Sequence, residues 1–392
     1  MNSTVSQSEV ERKGLQILLE EPFRLFFPLG VFGGLCGVWP WVAYHLGWAD
    51  SYSAYGHGLL QIQAFEMAFA VGFLMTVLPR FLETDGARPW ELVVGWALCA
   101  AGMVALVVGA WRLGEGLFLC LALHLSLFGL RRLHSRGDDP PPFFAFLPAG
   151  LGSAIFGSCL ILWPQVAFPR LGELLVEQGI LLAFVLAVGS HLGPRLLYGH
   201  RGFPETTTPA AHRRLGLLGG VAVALLTSFV LESGWHAATG QVLRAAIVSA
   251  YLFGVLRVDR TPTNPWIHLH LLRGSLISLC LGLWLPPLFP QHALAALHLS
   301  FVGGFGLMTI IVATRVVTGH CDAERLWVGN HWPVSLPALL IALAVPVRLA
   351  ADIAPLYYFQ ILAVAGSLWL AGLVLWGLYF VPLLRPSRVT PD

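Results

Sequence analysis

Residues 57–81 read HGLLQIQAFEMAFAVGFLMTVLPRF, a stretch dominated by apolar side chains with few charges. A helix of about 20 apolar residues is long enough to cross the hydrocarbon core of a bilayer. Similar runs recur from the first fifth of the chain to the last. Over all 392 residues, 56% are hydrophobic and 11% are charged, whereas roughly a quarter of residues are charged in soluble proteins. The sequence therefore predicts one polytopic membrane domain and excludes an ordinary soluble enzyme.

We expect an all-α polytopic membrane protein with about twelve transmembrane helices, numbered here as spans 1 to 12. They form one membrane domain, residues 25–384, between a polar N-terminal segment, residues 1–24, and a short tail, residues 385–392. The spans are expected near Leu25–Leu46, His57–Phe81, Trp90–Trp111, Gly114–Leu130, Phe143–Trp163, Leu171–Leu197, Leu215–Leu231, Trp235–Leu256, Pro265–Leu285, Gln291–Val317, Trp332–Leu349 and Tyr357–Leu384.

The arginines are concentrated in alternate connections between the spans. They are Arg80, Arg88, Arg131, Arg132, Arg136, Arg195, Arg201, Arg213, Arg214, Arg257, Arg260 and Arg325. The other connections, such as residues 47–56 and 286–291, carry few cations or none. Cations mark the cytoplasmic side of a membrane protein, so both termini are expected in the cytoplasm. The polar first 20 residues lack the apolar core of a cleaved signal peptide.

The overall charge and the cysteines exclude further classes of protein. The net charge is only +2, which gives no field for recruiting nucleic acid. The six cysteines are scattered without the CxxC spacing of zinc, iron–sulfur or redox sites. We interpret them as small buried side chains.

Three of the predicted spans end alike. Spans 2, 6 and 10 end in VLPRFLETD, LGPRLLYGH and VATRVVTGH, whose arginines, Arg80, Arg195 and Arg315, are 115 and 120 residues apart. Similar segments also open spans 1, 5 and 9, and these end at Gly30, Gly150 and Gly274. Two sets of similar segments in consistent register predict three tandem four-helix units, about residues 22–140, 141–262 and 263–384. Units of one orientation would enclose a centre by pseudo-threefold rotation.

Histidines on spans 2 and 10 are candidates for binding a cofactor. His57 and His292 each lie 23 residues before the arginine of their span, and His298 lies 17 residues before Arg315. All three are expected in the outer half of the membrane, opposite the arginines. Two neutral histidines from facing helices can bind haem iron axially, so we predict a haem site at His57 with either His298 or His292. The alternative interpretation is that these histidines only pack or lie at the interface.

A second group of histidines is expected near the cytoplasmic ends of the spans. Imidazole suits copper, iron and zinc, so a metal site is one interpretation. On a regular helix, two residues that are two positions apart point about 200° from one another, which argues against joint ligation by the pair that opens span 9. The alternative is that these side chains reach out to water or phosphate. The group comprises His191, His268, His270 and His320, with His200 at the place equivalent to His320.

Glu66 is the most deeply placed acidic residue of the spans. It follows His57 by nine residues, which is more than two helical turns. Ionisable groups inside a membrane are costly and mark functional sites by default. Three roles remain open for Glu66: a proton relay, a partner for an arginine, or a structural hydrogen bond.

Several motifs resemble those of the NnrS family. Residues 296–320, ALHLSFVGGFGLMTIIVATRVVTGH, resemble the family pattern H-x-x-x-V-G-x-x-G-x-M followed by R-V-x-x-G-H, and residues 21–30, EPFRLFFPLG, resemble its P-F-R-x-F-F opening. Residues 57–81 are similar to the family's histidine-led segment. Two departures mark a divergent member: His57 is followed by Gly58, Leu59 and Leu60 instead of x-His-Glu, and His320 is followed by Cys-Asp-Ala instead of Thr-Gly-Arg.

The resemblance implies a polytopic protein of the bacterial cytoplasmic membrane that binds haem and copper and takes part in the response to nitric oxide. The twelve-helix layout also resembles the catalytic subunit of haem–copper oxidases and nitric oxide reductases. In those enzymes histidines of helices 2 and 10 hold the low-spin haem, which again implies His57 with His298 or His292. Because spans 6 and 7 lack an outer histidine cluster, a complete binuclear copper centre is not expected.

The leading hypothesis is a haem b protein, with copper as a second cofactor, that senses, removes or otherwise responds to nitric oxide or another small diatomic. Whether it is an enzyme stays open; an oxidoreductase that takes electrons from quinol or another donor, related to nitric oxide reductases, is one form of this hypothesis. A transporter of a metal or small solute is the competing hypothesis from another class. A structural partner subunit is a third.

Overall fold

The structure is a computed structural model that describes residues 7–163, 165, 168–199 and 209–386. Every regular element in these ranges is a helix. Besides the one-turn helix Glu324–Trp327, the helices are α1 Gln7–Glu20, α2 Phe23–His45, α3 Ala54–Phe81, α4 Pro89–Val107, α5 Trp111–His134, α6 Pro142–Leu162, α7 Arg170–Tyr198, α8 Pro209–Gly234, α9 Ala237–Gly254, α10 Ile267–Leu288, α11 Pro290–His320, α12 Trp332–Ile353 and α13 Pro355–Leu384.

Within the described ranges, eleven helices are long and apolar enough to cross a membrane, so the chain is a multi-pass membrane protein. They are α2 to α8 and α10 to α13, and they correspond to eleven of the twelve predicted spans. The remaining predicted span, near Trp235–Leu256, is the helix α9, which Gln241 and Arg244 make less apolar. Arg244 is buried and pairs with the carboxylate of Glu232 on α8. The polar N-terminal segment, for which we predicted no span, contains the short helix α1.

Three helices contain a π-helical segment. These segments are Leu60–Glu66 in α3, Leu175–Gly179 in α7 and Leu299–Gly306 in α11. A π-helical turn accommodates extra residues and so rotates the side chains that follow, and such turns are frequent at functional sites. In α3 the segment begins three residues after His57, and in α11 it begins immediately after His298. The side chains on either side of each segment therefore cannot be placed by regular α-helical geometry.

Glycines allow α2 to lie very close to α3. A Cβ atom at Gly33 would stand 2.8 Å from the carbonyl carbon of Ala64, and one at Gly30 would stand 2.5 Å from the ring of Phe69. Small residues at such crossings let two backbones approach, which is how helices pack when lipid gives no hydrophobic driving force between them. This contact fixes the position of α3, the helix that carries His57.

The arginine-bearing connections gather at one end of the bundle, hereafter the arginine end. Arg24, at the start of α2, donates hydrogen bonds to the carbonyl oxygens of His320 at 3.0 Å and Leu384 at 3.3 Å, which joins the ends of α11 and α13. At the same end, the amide of Gly137 donates to the carbonyl of Leu82, and the amide of Thr263 donates to the carbonyl of Leu197. The predicted clustering of these connections on one side is thus observed.

Glu21 links several elements at the arginine end. Its carboxylate pairs with Arg24 and lies 3.3 Å from Arg80 of α3 and 2.7 Å from Nδ1 of His320 of α11. Burial alone would raise the pKa of Glu21, but the hydrogen bonds from His320 and Arg24, together with the charge of Arg24, outweigh burial and hold the pKa at about 2. Glu21 therefore stays ionised and stabilises this end of the bundle at neutral pH.

Substitution of Gly33 by alanine should destabilise the protein. The new methyl group would overlap the backbone of Ala64, which is not a flexible side-chain end, and overpacking of this kind costs about 1–3 kcal/mol. Gly116→Ala is the matched control, because a Cβ there meets nothing within 4 Å. We expect a lower thermal midpoint for Gly33→Ala in detergent and an unchanged or slightly higher midpoint for Gly116→Ala. Equal midpoints for the two variants would show that α2 and α3 are not in this close contact.

Substitution of Glu21 by glutamine should lower stability in a pH-dependent way. The folded pKa of about 2 lies below the ordinary value of 4.5, so the stabilisation is present above pH 4.5 and is lost as pH falls towards 2. At pH 7 we expect the variant to be less stable by roughly 1–3 kcal/mol. The gap in thermal midpoint between Glu21→Gln and the unmodified protein should narrow between pH 7 and pH 3. Glu324→Gln, at an exposed position, serves as the control and should show no such gap; a pH-independent gap for Glu21→Gln contradicts the role of its charge.

Candidate functional site

His57 of α3 and His298 of α11 face one another near the end of the bundle opposite the arginine end. Their ring centroids are 6.5 Å apart and their ring planes differ by 7°. Nδ1 of His57 lies 2.8 Å from the carbonyl oxygen of Gly37, and Nδ1 of His298 lies 2.7 Å from that of Leu294. A carbonyl oxygen can only accept, so each neutral ring donates its proton from Nδ1 and leaves Nε2 with a free lone pair. Histidines that bind metals are held in this way, by a second hydrogen bond that fixes the tautomer.

The spacing of the two rings suits a metal ion placed between them. At 6.5 Å the rings are too far apart to touch. A metal–nitrogen bond of about 2 Å on each side, added to the roughly 1 Å from ring centre to ring nitrogen, spans about 6 Å. With their Nε2 atoms free, His57 and His298 would be the residues that hold a metal ion between them.

The two histidines line a cavity of about 250 Å³, hereafter the histidine cavity. Its wall is formed largely by aromatic and aliphatic side chains of α2, α3, α11 and α13. Trp41 stands edge-on to His57 with ring centroids 5.8 Å apart, and Phe301 stands edge-on to His298 at 6.3 Å. Phe65 and Trp369 complete this wall. This aromatic part of the wall is suited to a flat apolar ligand, and polar side chains line other parts of the cavity.

Arg348 of α12 also lines the histidine cavity. Its side chain is buried, and Nη1 has no hydrogen-bond partner among the described residues. A buried charge without a partner is costly and is normally matched by an anion. The guanidinium therefore offers a place for a carboxylate of a bound ligand, for which its planar fork of donors is well shaped.

Glu66 lies in the wall between the histidine cavity and a second cavity, which we name the central cavity. The central cavity has a volume of about 130 Å³, and apart from Glu66 and Thr309 its wall is apolar. The hydroxyl of Thr309 on α11 donates to Oε2 of Glu66 at 2.7 Å. Of the roles left open by the sequence, the structure shows a hydrogen bond to threonine and no pairing with an arginine within the described ranges.

His292, the alternative partner for His57, lies outside the histidine cavity. Its ring is half exposed and contacts the carboxylate of Asp352 through Nδ1. It belongs to a 3₁₀ turn, Pro290–His292, that precedes the α-helical part of α11. The histidine of α11 that the structure brings to His57 is therefore His298.

The second group of histidines does not converge on one point. His191 and His320 line a cavity at the arginine end, His268 is buried among Trp266 and Trp327, and His270 is exposed. His200 lies outside the described residues. Across the described ranges there is no group of three or more histidine, cysteine or acidic side chains that could hold a metal ion. Copper stays a prediction from the family resemblance.

Arg348 is the residue of this site that our sequence analysis missed. It is the only charged residue inside the predicted span Trp332–Leu349, and a cation within an apolar span is a functional candidate by default. The same rule that identified Glu66 would have identified Arg348, had it been applied to arginines as well as to histidines and acids.

Comparison with known proteins identifies the family of the chain. No curated protein matches the chain. The family described as NnrS protein matches residues 17–388, a range that contains His57, His298, Glu66 and Arg348. A match over nearly the whole membrane domain establishes the relationship, and the chain belongs to the NnrS family.

Proposed function

We propose that this protein binds haem b between His57 and His298 and acts as a redox protein in the bacterial response to nitric oxide. The observation that carries the proposal is the pair of near-parallel imidazoles, 6.5 Å apart, each tied to a backbone carbonyl through Nδ1. Membership of the NnrS family supports the link to nitric oxide.

The other residues of the histidine cavity fit the remaining parts of haem. The macrocycle is flat and apolar, and the part of the wall that includes Phe65, Trp41 and Trp369 is aromatic and apolar. Haem also carries carboxylates, and the free Nη1 of Arg348 is a buried donor for one of them. Bound haem would supply one-electron chemistry, while these residues bind it, orient it and exclude water.

Two imidazoles in place favour electron transfer over direct binding of a gas. A six-coordinate iron has no open position, and a diatomic can bind only where one axial ligand is absent. His57 and His298 both face the cavity, so we infer a role in passing electrons from quinol or another donor. Nitric oxide or another small diatomic would then react at a place other than the iron held by His57 and His298, or at that iron after one of the two histidines has moved away.

The central cavity supports a small apolar gas as the partner. Its wall is apolar apart from Glu66 and Thr309. The free energy of transfer of a neutral diatomic from water into such an apolar space is favourable. Glu66 borders both this cavity and the histidine cavity, so a proton on its carboxyl group would be within reach of either space. We infer that Glu66 holds and delivers that proton, oriented by Thr309.

We further infer that the three predicted four-helix units underlie this arrangement. The helices α3, α7 and α11 each contain a π-helical segment, and the first two segments begin 20 residues before Arg80 and Arg195. A Cβ at Gly150 would stand 2.6 Å from the ring of Phe184, and one at Gly30 would stand 2.5 Å from the ring of Phe69. Such equivalence supports a pseudo-threefold arrangement in which α3 and α11 face each other, as in haem–copper oxidases.

Substitution of either ligand should remove the low-spin haem. We expect purified His57→Gln and His298→Gln to lose the sharp reduced-minus-oxidised bands of a six-coordinate haem b, because each loses one axial nitrogen. His124→Gln is the matched control: His124 is also buried in a span, but it bonds to the carbonyl of Glu91 and lies outside the histidine cavity. The control should keep the bands of the unmodified protein.

A flat spectrum of the unmodified protein, expressed with ample haem, contradicts the proposal. The same holds if His57→Gln and His298→Gln both retain an unchanged low-spin spectrum. A flat spectrum would leave the transport of a metal or small solute as the hypothesis to pursue.

Substitution of Arg348 should weaken haem retention and lower the haem midpoint potential. Loss of the buried positive charge removes a partner of the haem carboxylate and makes the oxidised, more positive state easier to reach. We expect Arg348→Gln to lose more haem during purification and to have a lower potential by redox titration, whereas Arg348→Lys should be intermediate. Arg112→Gln, at an exposed arginine on α5, is the control. Equal midpoint potentials for Arg348→Gln and the control would show that the haem carboxylates do not lie at Arg348.

A further inference from the structure

A third cavity lies at the arginine end, where α3, α7 and α11 come together. Its volume is about 370 Å³, and its wall includes Arg80, Arg195 and Arg315, one arginine from each helix. His191 and His320 also line it. We name it the arginine cavity. It is separate from the histidine cavity, with which it shares no lining residue.

Among the described residues, the arginines that line the arginine cavity outnumber the carboxylates that pair with them. Arg80 has a carboxylate nearby, that of Glu21, but Glu21 is shared with Arg24. Arg195 and Arg315 make no ion pair within the part of the chain that the structure describes. Arg195 is exposed and Arg315 is half-buried, and these two cations at the cavity have no carboxylate partner among the described residues. A ligand with two negative charges would balance them.

Arg315 is held towards this space by its neighbours. Its guanidinium lies over the ring of Trp327, 5.7 Å from the centroid. A Cβ at Gly319 would stand 3.1 Å from Nη1 of Arg315, so the absence of a side chain at Gly319 leaves room for the guanidinium. The side chain of Arg315 is therefore packed in place rather than free to extend into solvent.

The rest of the wall is apolar. Phe81 and Leu78 of α3 and Phe143, Phe144 and Leu147 of α6 border the cavity beside the arginines. A ligand that fills it would need a charged head for the guanidinium groups and an apolar body for these side chains. Arginine prefers phosphate among biological anions because its fork of donors matches two phosphate oxygens.

We propose that the arginine cavity binds a phosphate group, held by Arg80, Arg195 and Arg315. His191 would add an N–H donor to the same oxygens, whereas His320 is already engaged, because its Nδ1 bonds to Glu21 and its Nε2 accepts from Nη1 of Arg80. The phosphate belongs either to the headgroup of an anionic lipid or to a free phosphate, since the two share the chemistry that the arginines recognise. The proposal does not depend on haem, because none of these residues lines the histidine cavity.

The test uses the full chain purified in detergent, with two phosphate probes and one control lipid. Dioctanoyl phosphatidic acid represents the lipid headgroup, and inorganic phosphate represents the free anion. The control, dioctanoyl glycerol, is a lipid without phosphate. We expect titration with at least one phosphate probe to raise the thermal midpoint, because a ligand that binds only the folded state stabilises it. Dioctanoyl glycerol should produce no such rise.

Variants connect that rise to the arginines. Arg195→Gln and Arg315→Gln should each weaken apparent affinity by roughly tenfold or more, since each removes a charge-assisted pair of hydrogen bonds. Arg195→Lys keeps the charge and should lose less. Arg170→Gln is the matched control, because Arg170 lies at the other end of α7, is exposed and pairs with Glu173. Ligand-free midpoints show whether each variant is folded.

The outcomes separate the two sources and the failure of the proposal. A rise with phosphatidic acid alone identifies a lipid headgroup, and an equal rise with inorganic phosphate identifies the free anion. The proposal is overturned if neither probe raises the midpoint, or if folded Arg195→Gln and Arg315→Gln keep the affinity of the Arg170→Gln control.

Discussion

A charged side chain inside a bilayer has no water to pair with, and the whole architecture of this protein follows from that constraint. Most buried charges meet it by pairing within the chain. The carboxylate of Glu91 lies 2.8 Å from Arg132, which joins α4 to α5, and Glu232 pairs with Arg244, which joins α8 to α9. Such pairs connect neighbouring helices and neutralise the charge of both partners, although Nε of Arg132 and Nε and Nη1 of Arg244 have no hydrogen-bond partner among the described residues. A charge in the interior that lacks an oppositely charged side chain is therefore informative, because a bound ligand would have to supply the opposite charge.

Three arginines without an ion pair in the described ranges line cavities. Arg348 is buried and lines the histidine cavity with a free Nη1, while Arg195, which is exposed, and Arg315, which is half-buried, line the arginine cavity. The same division holds for the histidines. His124 is satisfied by a backbone carbonyl and packs between helices, whereas His57 and His298 line the histidine cavity, make that kind of bond through Nδ1 and leave Nε2 free. Pairing separates the residues that hold the bundle together from those that can bind.

Composition and spacing were enough to predict much of this fold, because a bilayer demands long apolar helices and the arginines mark one of their ends. That His57 would lie opposite a histidine of span 10 could be predicted from its depth alone. The choice between His298 and His292 could not, since it depends on backbone geometry that departs from a regular helix: His292 belongs to a 3₁₀ turn and His298 directly precedes a π-helical segment. The sequence also could not predict which arginines would find partners, because a partner such as Glu21 for Arg80 is distant in the chain. The lower hydropathy of α9 was visible, but the buried pair that neutralises its arginine was not.

The three cavities follow one another along α3, α7 and α11. The polarity of their walls determines which species, charged or neutral, can move between them. The central cavity shares Glu66 and Leu181 with the histidine cavity, and it shares Phe73 and Leu74 with the arginine cavity. A proton or anion arriving from the arginine end would have to cross a wall that is apolar up to Glu66 and Thr309, and transfer of a charge through such a space is costly. A neutral diatomic meets no such barrier. Polar groups continue instead on the other side, where Gln61 and Glu177 line the histidine cavity together with Glu66. Glu66 would therefore exchange protons with the histidine end, so that gas and protons reach the proposed redox site from opposite directions.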